Sequence, residues 1–272
     1  MAAMFSREAL NPGVRLREVF GWAMYDFANS GYTTVVITAV FAAYFVGGVA
    51  GSAPWATLAW TSGLSLSYLI VMLTMPGLGA WADRVAGKRR LLMWVTAGCV
   101  LSTAALALVG PGQVALGLLI LVISNTFFSY GESLTASFLP ELAKPQAMGR
   151  VSGWGWALGY IGGMLTLGVC LAYVLAAQAR GESGSQFVPV TMLITALVYG
   201  LAACVTFTLM REHAQPQPDA PVVGMLKSLQ GLAQTFRDAR PYQDFTRLMA
   251  CAVAYQGGVA VAISLAAIYA EQ

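Results

Sequence analysis

The stretch "GWAMYDFANSGYTTVVITAVFAAYFV", Gly21 to Val46, is a long apolar run that carries an ionisable Asp26 between Tyr25 and Phe27. A helix rises about 1.5 Å per residue, so about 20 residues cross the roughly 30 Å hydrocarbon layer of a bilayer. A carboxylate near the centre of such a helix costs about 2.5–3.5 kcal/mol, and less toward the interface. Something must offset that cost. Asn29, Ser30 and Thr33 follow Asp26 at helical spacing, which makes one face of the run too polar for lipid.

Six further apolar runs follow, at about 57–80, 91–109, 113–137, 151–177, 187–210 and 245–270. Apolar residues make up 58% of the chain and charged ones 10%, with a mean hydropathy of +0.68. Soluble proteins average about 45–50% and 25%. The runs are continuous rather than alternating, and hydrocarbon admits only helices or closed barrels, so the sequence reads as an all-α, polytopic membrane protein. No short apolar core followed by a small-residue cleavage site marks a signal peptide, and the first run stays attached as a helix.

The four cysteines, Cys99, Cys170, Cys204 and Cys251, fall in four different runs without CxxC pairing and read as small packing residues. No metal site and no cofactor is expected. His213 is the only histidine and lies in a proline-bearing loop, so neither HExxH zinc chemistry nor a Ser–His arrangement can be built in the membrane. The chain reads as a non-enzyme with no catalytic residue.

A net charge of +3 would suggest nucleic acid in a soluble chain, but here the basic residues act as topology signals and no nucleic-acid partner is expected. All lysines and arginines except Arg180 precede helix one or follow helices two, four and six. The positive-inside rule makes that side, with the N-terminus, cytoplasmic, as in a multi-pass protein of a bacterial inner membrane. Loops are short except at 211–244. There "REHAQPQPDAP" reads as a bent linker, and Val222 to Arg240 has helically spaced apolar residues. An amphipathic helix on the bilayer surface, with Lys227 and Arg237 toward headgroups, fits this pattern. A plain solvated linker is the alternative, because Gly224 and Gly231 weaken a helix. The expected division is a six-helix bundle at 1–210, a cytoplasmic linker at 211–244 and a further helix at 245–272.

This layout resembles the N-terminal half of the major facilitator superfamily of secondary transporters. After helix two, "GLGAWADRVAGKRR" supplies Gly79, Asp83, Arg84, Lys88, Arg89 and Arg90, which resemble the superfamily's loop motif with one extra residue at Ala86–Gly87. Physically, Asp83 can accept from backbone N–H groups of a neighbouring helix end while the basic residues pair with carboxylates or lipid phosphates. The resemblance implies a latch that closes the cytoplasmic side in one state. Topology signalling alone is the simpler reading.

The stretches "WAMYDFANSGY" at 22–32 and "LPELAKPQAMGRVSGWGWALGYIGG" at 139–163 are similar to the vacuolar effluxer family, named for an autophagy-related amino-acid effluxer of the yeast vacuole. Superfamily members have two six-helix halves. The chain therefore reads as an N-terminal fragment, the first bundle plus the first helix of a C-terminal half that would be its missing partner.

In helix four, Asn125, Ser129, Glu132 and Ser133 form a second polar stripe. By resemblance, helices one and four line the central cavity, so Asp26, Asn29, Thr33, Asn125, Ser129 and Glu132 are candidates for a solute or ion site. Burial and mutual repulsion make one of the two carboxylates a candidate acceptor for a coupling proton. Equally, Asp26 orients Tyr25 or Asn29, or pairs with a loop arginine.

Gly155, Gly159 and Gly163 form a small-residue stripe for helix packing. Trp154, Trp156 and Tyr160, near the cytoplasmic end of this run, suit either interface anchoring or ligand contact. Gly257 stands where the resemblance leads one to expect an acidic residue. Together these features imply a secondary active transporter of a small solute, neutral amino acids by resemblance, working by alternating access. A non-transporting membrane assembly protein is the alternative.

Overall fold

The computed structural model describes residues 6–213, 231, 234, 237–239 and 241–271, with side chains described as far as residue 265 in the last helix. Among them are seven helices long and apolar enough to cross a membrane: α1 (Leu16–Val49), α2 (Ala56–Val85), α3 (Lys88–Leu108), α4 (Val114–Leu142), α5 (Pro145–Ala179), α6 (Gly184–Leu209) and α7 (Gln243–Leu265). Each coincides with one of the apolar runs. Most of their ends extend past the runs because backbone hydrogen bonding continues into the polar boundary residues. The amphipathic stretch Val222–Arg240 lies for the most part outside the described residues.

The helix boundaries follow local chemistry. α2 ends on Ala86, which takes the left-handed conformation (φ 46°) while the Gly87 N–H donates to the Ala82 carbonyl at 2.9 Å. That closing turn lets α3 begin at once. Ser183 and Gln186 cap α6 reciprocally.

α1 is not uniformly α-helical. Thr33 and Thr34 donate their hydroxyls back to the carbonyls of Asn29 and Ser30, and Thr33–Ala39 and Tyr44–Val49 wind as π turns. Thus Val40 N–H reaches Val35 O at 2.9 Å, five residues back. Such local widening recurs at functional sites and shifts the angle at which later side chains leave the helix.

α1 packs closely on α5 and α6, while α4 packs on α2 and α3 and α3 on α6. Water is absent from the hydrocarbon layer, so close approach and polar contacts hold the helices together rather than apolar burial. The glycines of α5 supply the approach. A Cβ on Gly159 would stand 2.8 Å from Ser30 Oγ, and one on Gly162 would collide with the Phe27 backbone. Between α2 and α4, Asn125 Nδ2 donates to Ser67 Oγ at 2.6 Å, and between α3 and α4 the hydroxyls of Thr103 and Ser124 meet at 3.2 Å. Trp60, fully buried, packs among Phe41 and Phe45. Large apolar side chains such as Leu58, Trp94, Leu101 and Leu197 face outward, as they would toward lipid. α7 stands against the bundle with none of its most apolar window buried.

Candidate functional site

Asp26, Asn29 and Thr33 leave α1 on one face and meet α4 and α5 around a cavity of about 390 Å³ that Ile263 of α7 also lines. Glu132 of α4 faces the same cavity, close enough to Asp26 for the two charges to repel. Thr33 and Glu132 also line an adjoining cavity of about 500 Å³ between the bundle and α7. Of the six sequence candidates, Asp26, Asn29, Thr33 and Glu132 therefore come together.

Asn125 and Ser129 do not join them. Asn125 is wholly buried with its amide on Ser67, and Ser129 is buried with its hydroxyl unpartnered. They share the helical face of Glu132 but stand further along α4, where α2 covers that face.

The approach of α5 fixes where Asp26 can sit. A Cβ on Gly155 would lie 2.8 Å from the Trp22 ring and 3.1 Å from Asp26 Oδ2. Trp22 is anchored in turn, its indole N–H donating to the Thr135 carbonyl of α4 at 2.8 Å. Neither Asp26 nor Glu132 has a hydrogen-bond or ion-pair partner among the described residues. A structural carboxylate at this depth would have recruited one.

Behind the cavity wall runs a chain of hydroxyls. Tyr199 of α6 donates to Asn29 Oδ1 at 2.7 Å, and its oxygen stands 3.3 Å from that of Tyr25. Tyr25 meets Thr96 Oγ1 at 2.9 Å, and Thr96 donates to the Leu92 carbonyl at 2.6 Å. Asn29 is 6% exposed and lines the cavity; its oxygen accepts from Tyr199, and its Nδ2 group has no hydrogen-bond partner among the described residues. Trp156 and Tyr160 of α5 complete the wall as an edge-to-face pair 6.1 Å apart. The sequence left their role open between interface and ligand. Tyr199 went unnoticed there; its one signal is a phenol in the middle of a helix whose only other polar residues past its first turn are threonines.

The loop motif is arranged differently from the expectation. Asp83 takes no backbone N–H of a helix end among the described residues; it pairs with Lys88 Nζ at 3.0 Å. Lys88 also bridges to Glu141 at the end of α4, at 2.9 Å. The carboxylate that caps the start of α3 is Glu212, whose two oxygens accept from the Lys88 and Arg89 N–H groups at 2.8 and 3.1 Å. The Asp83 carboxylate is engaged by the Lys88 side chain, whereas Glu212 follows the end of α6, which packs on α3, and so reaches the first N–H groups of α3.

Next to it, the His213 N–H donates to Glu141, and His213 Nε2 meets Glu18 of α1 at 2.6 Å. Glu18 is 1% exposed. Arg89 donates to the Phe207 carbonyl, whereas Gly79 has open space around it. Arg84 and Arg90 have no ion-pair partner among the described residues. Glu18, Glu141 and Glu212 were not singled out from sequence, where each is a lone polar residue near a helix end, and His213 was noted there only as unable to build a catalytic or zinc site in the membrane.

A family model described as "Vacuole effluxer Atg22 like" matches residues 60–272. The chain is also 29% identical, over 255 residues, to "Uncharacterized MFS-type transporter YxiO" of Bacillus subtilis (strain 168), an alignment covering 91% of this chain and 59% of that relative. The chain thus spans about three fifths of the length of the curated relative it matches. No solved structure matches it.

Proposed function

We propose a transport function from one premise: the chain belongs to the vacuole effluxer Atg22-like family, within the major facilitator superfamily. In this reading α1–α6 (residues 1–210) form one wall of a solute pathway, 211–244 is a linker, and α7 begins a second helix set that closes the opposite wall. The relative's greater length leaves room for such a set. Small ammonium-bearing solutes, the neutral amino acids suggested by the family resemblance among them, would cross by alternating access.

The observation that carries this reading is the pair of unpartnered carboxylates, Asp26 on α1 and Glu132 on α4, facing one cavity with Asn29 and Thr33. Two like charges in a poorly solvated cleft are stable when a proton or a cationic group stands between them. Coupling then follows from competition, because a proton taken from one side must leave before the carboxylates accept the solute from the other. The Asp83–Lys88–Glu141 cluster and the Glu212 cap suit a latch at the basic end, since charge pairs near an interface break and re-form at small cost. That end is proposed to face the cytoplasm of a bacterial inner membrane.

In proteoliposomes holding the full-length protein, Asp26→Asn should insert normally and lose uptake driven by a pH gradient, and Glu132→Gln should displace the pH profile of transport. Wild-type flux and profile in both variants would refute this reading in favour of a non-transporting assembly protein. Orientation is tested separately. In intact cells an impermeant thiol reagent should label Ser185→Cys and spare Gln146→Cys, and the reverse pattern would invert the topology.

A further inference from the structure

The cavity wall carries more chemical information than the transport reading uses. Asp26 and Glu132 are both unpartnered, and no Lys, Arg or His is among the described residues lining either cavity. An entering solute therefore meets two carboxylates and, among the described residues, no positive side chain.

Asn29 is the second, independent feature. It is more than nine-tenths buried and lines the cavity, and Tyr199 holds its oxygen at 2.7 Å, which fixes the amide and leaves Nδ2 as its one donor without a partner among the described residues. A donor fixed in this way selects a solute oxygen beside the cationic group. Trp156 and Tyr160, 62% and 66% exposed, offer aromatic surface on the same wall, and Met164 and Ile263 add apolar surface. Aromatic faces attract cations and accept flat apolar bodies.

We propose that this cavity selects an organic cation: a protonated amine at Asp26 and Glu132, a neutral carbonyl or hydroxyl oxygen at Asn29, and an aromatic or apolar body against Trp156 and Tyr160. The inference rests on the transport reading and narrows it to solutes of net positive charge. A zwitterionic amino acid fits less well. Its ammonium would be received as readily, but its carboxylate would enter a cleft that already holds two carboxylates, with one neutral amide as its partner. Like charges desolvated together repel strongly, and a single neutral donor does not compensate them.

Three probes with the same body separate these terms. Phenylalaninamide has the ammonium and a neutral carbonyl, phenylethylamine has the ammonium alone, and phenylalanine has the ammonium and a carboxylate. Binding to the full-length protein in detergent is followed by tryptophan fluorescence, with competition against a radiolabelled probe as a second measure.

Phenylalaninamide should bind at least tenfold tighter than phenylalanine, with phenylethylamine between them. Asp26→Asn should weaken the amide by tenfold or more, and Trp156→Leu should weaken amide and amine alike. Asn29→Leu should bring the amide down to the level of the amine. Equal or tighter binding of phenylalanine overturns the inference, as does failure of both cationic probes to bind protein that retains its wild-type melting transition. Asp26-dependent transport of phenylalanine would sink the cation selectivity while leaving the transport reading intact. Saturable binding of the cations without any flux would do the opposite.

Discussion

Replacing Tyr199 with Phe removes one oxygen from the centre of the bundle and leaves the ring in place. That ring stands edge-on to Tyr25, with centroids 6.1 Å apart and planes at 82°, so its packing survives. What disappears is the donor to Asn29 Oδ1. No neighbour replaces it: Thr96 gives its single proton to the Leu92 carbonyl, so Tyr25 must direct its own to Thr96. The Asn29 oxygen is then buried without a donor, which costs about 1–3 kcal/mol.

Soluble domains of comparable size lose about 2–4 °C in Tm per kcal/mol, so purified Tyr199→Phe should melt several degrees below wild type. The freed amide can rotate its Nδ2 group away from the cavity. One neutral hydrogen bond contributes a net 0.5–1.5 kcal/mol, roughly a three- to tenfold loss of solute affinity, with the maximal rate less affected. Tyr25→Phe serves as the control. It deletes the hydroxyl bonded to Thr96 and leaves Asn29 held by Tyr199, so stability should fall by about 0.5–1.5 kcal/mol while affinity stays near wild type. Unchanged melting and affinity in Tyr199→Phe, or an equal affinity loss in Tyr25→Phe, would refute the reasoning.

Gly162→Ala should destabilise by about 1–3 kcal/mol, because its Cβ would collide with the Phe27 backbone, whereas Gly168→Ala, with nothing within 4 Å, should be neutral or stabilising by up to about 1 kcal/mol; melting curves in one detergent decide both. Lys88→Met should lower thermal stability more than Asp83→Asn, because it strips the cation from Glu141, whose side chain is 15% exposed, while the side chain of Asp83 is 61% exposed and stays hydrated alone. Glu212→Ala removes the cap from α3 and should cost about 0.5–2 kcal/mol; limited proteolysis should then cut after Leu209 at a lower protease concentration, and an unchanged cleavage pattern would mean that the cap does not anchor the chain leaving α6.

The seven spans and the all-α class are legible in the amino-acid order alone, because transfer of a side chain into hydrocarbon is a local quantity that adds up along each run. That order also grouped Asp26, Asn29 and Thr33, since the 100° step of a helix places them on one face whatever surrounds it. Tertiary structure decided which parts of such faces stay open. Asn125 and Glu132 share a stripe on α4, yet α2 seals the first while the second borders the cavity, because helices crossing at an angle cover one level and diverge at another.

The rotation of α5 was likewise undetermined until its glycines met α1, and that contact turned Trp156 and Tyr160 toward the cavity. The cap on α3 was the least legible feature. Glu212 lies more than 120 positions from the N–H groups it satisfies, and nothing in a one-dimensional pattern states that the start of α3 and the end of α6 meet. Hydrogen bonds of this kind are fixed by proximity and direction in space, which exist only once the helices have packed.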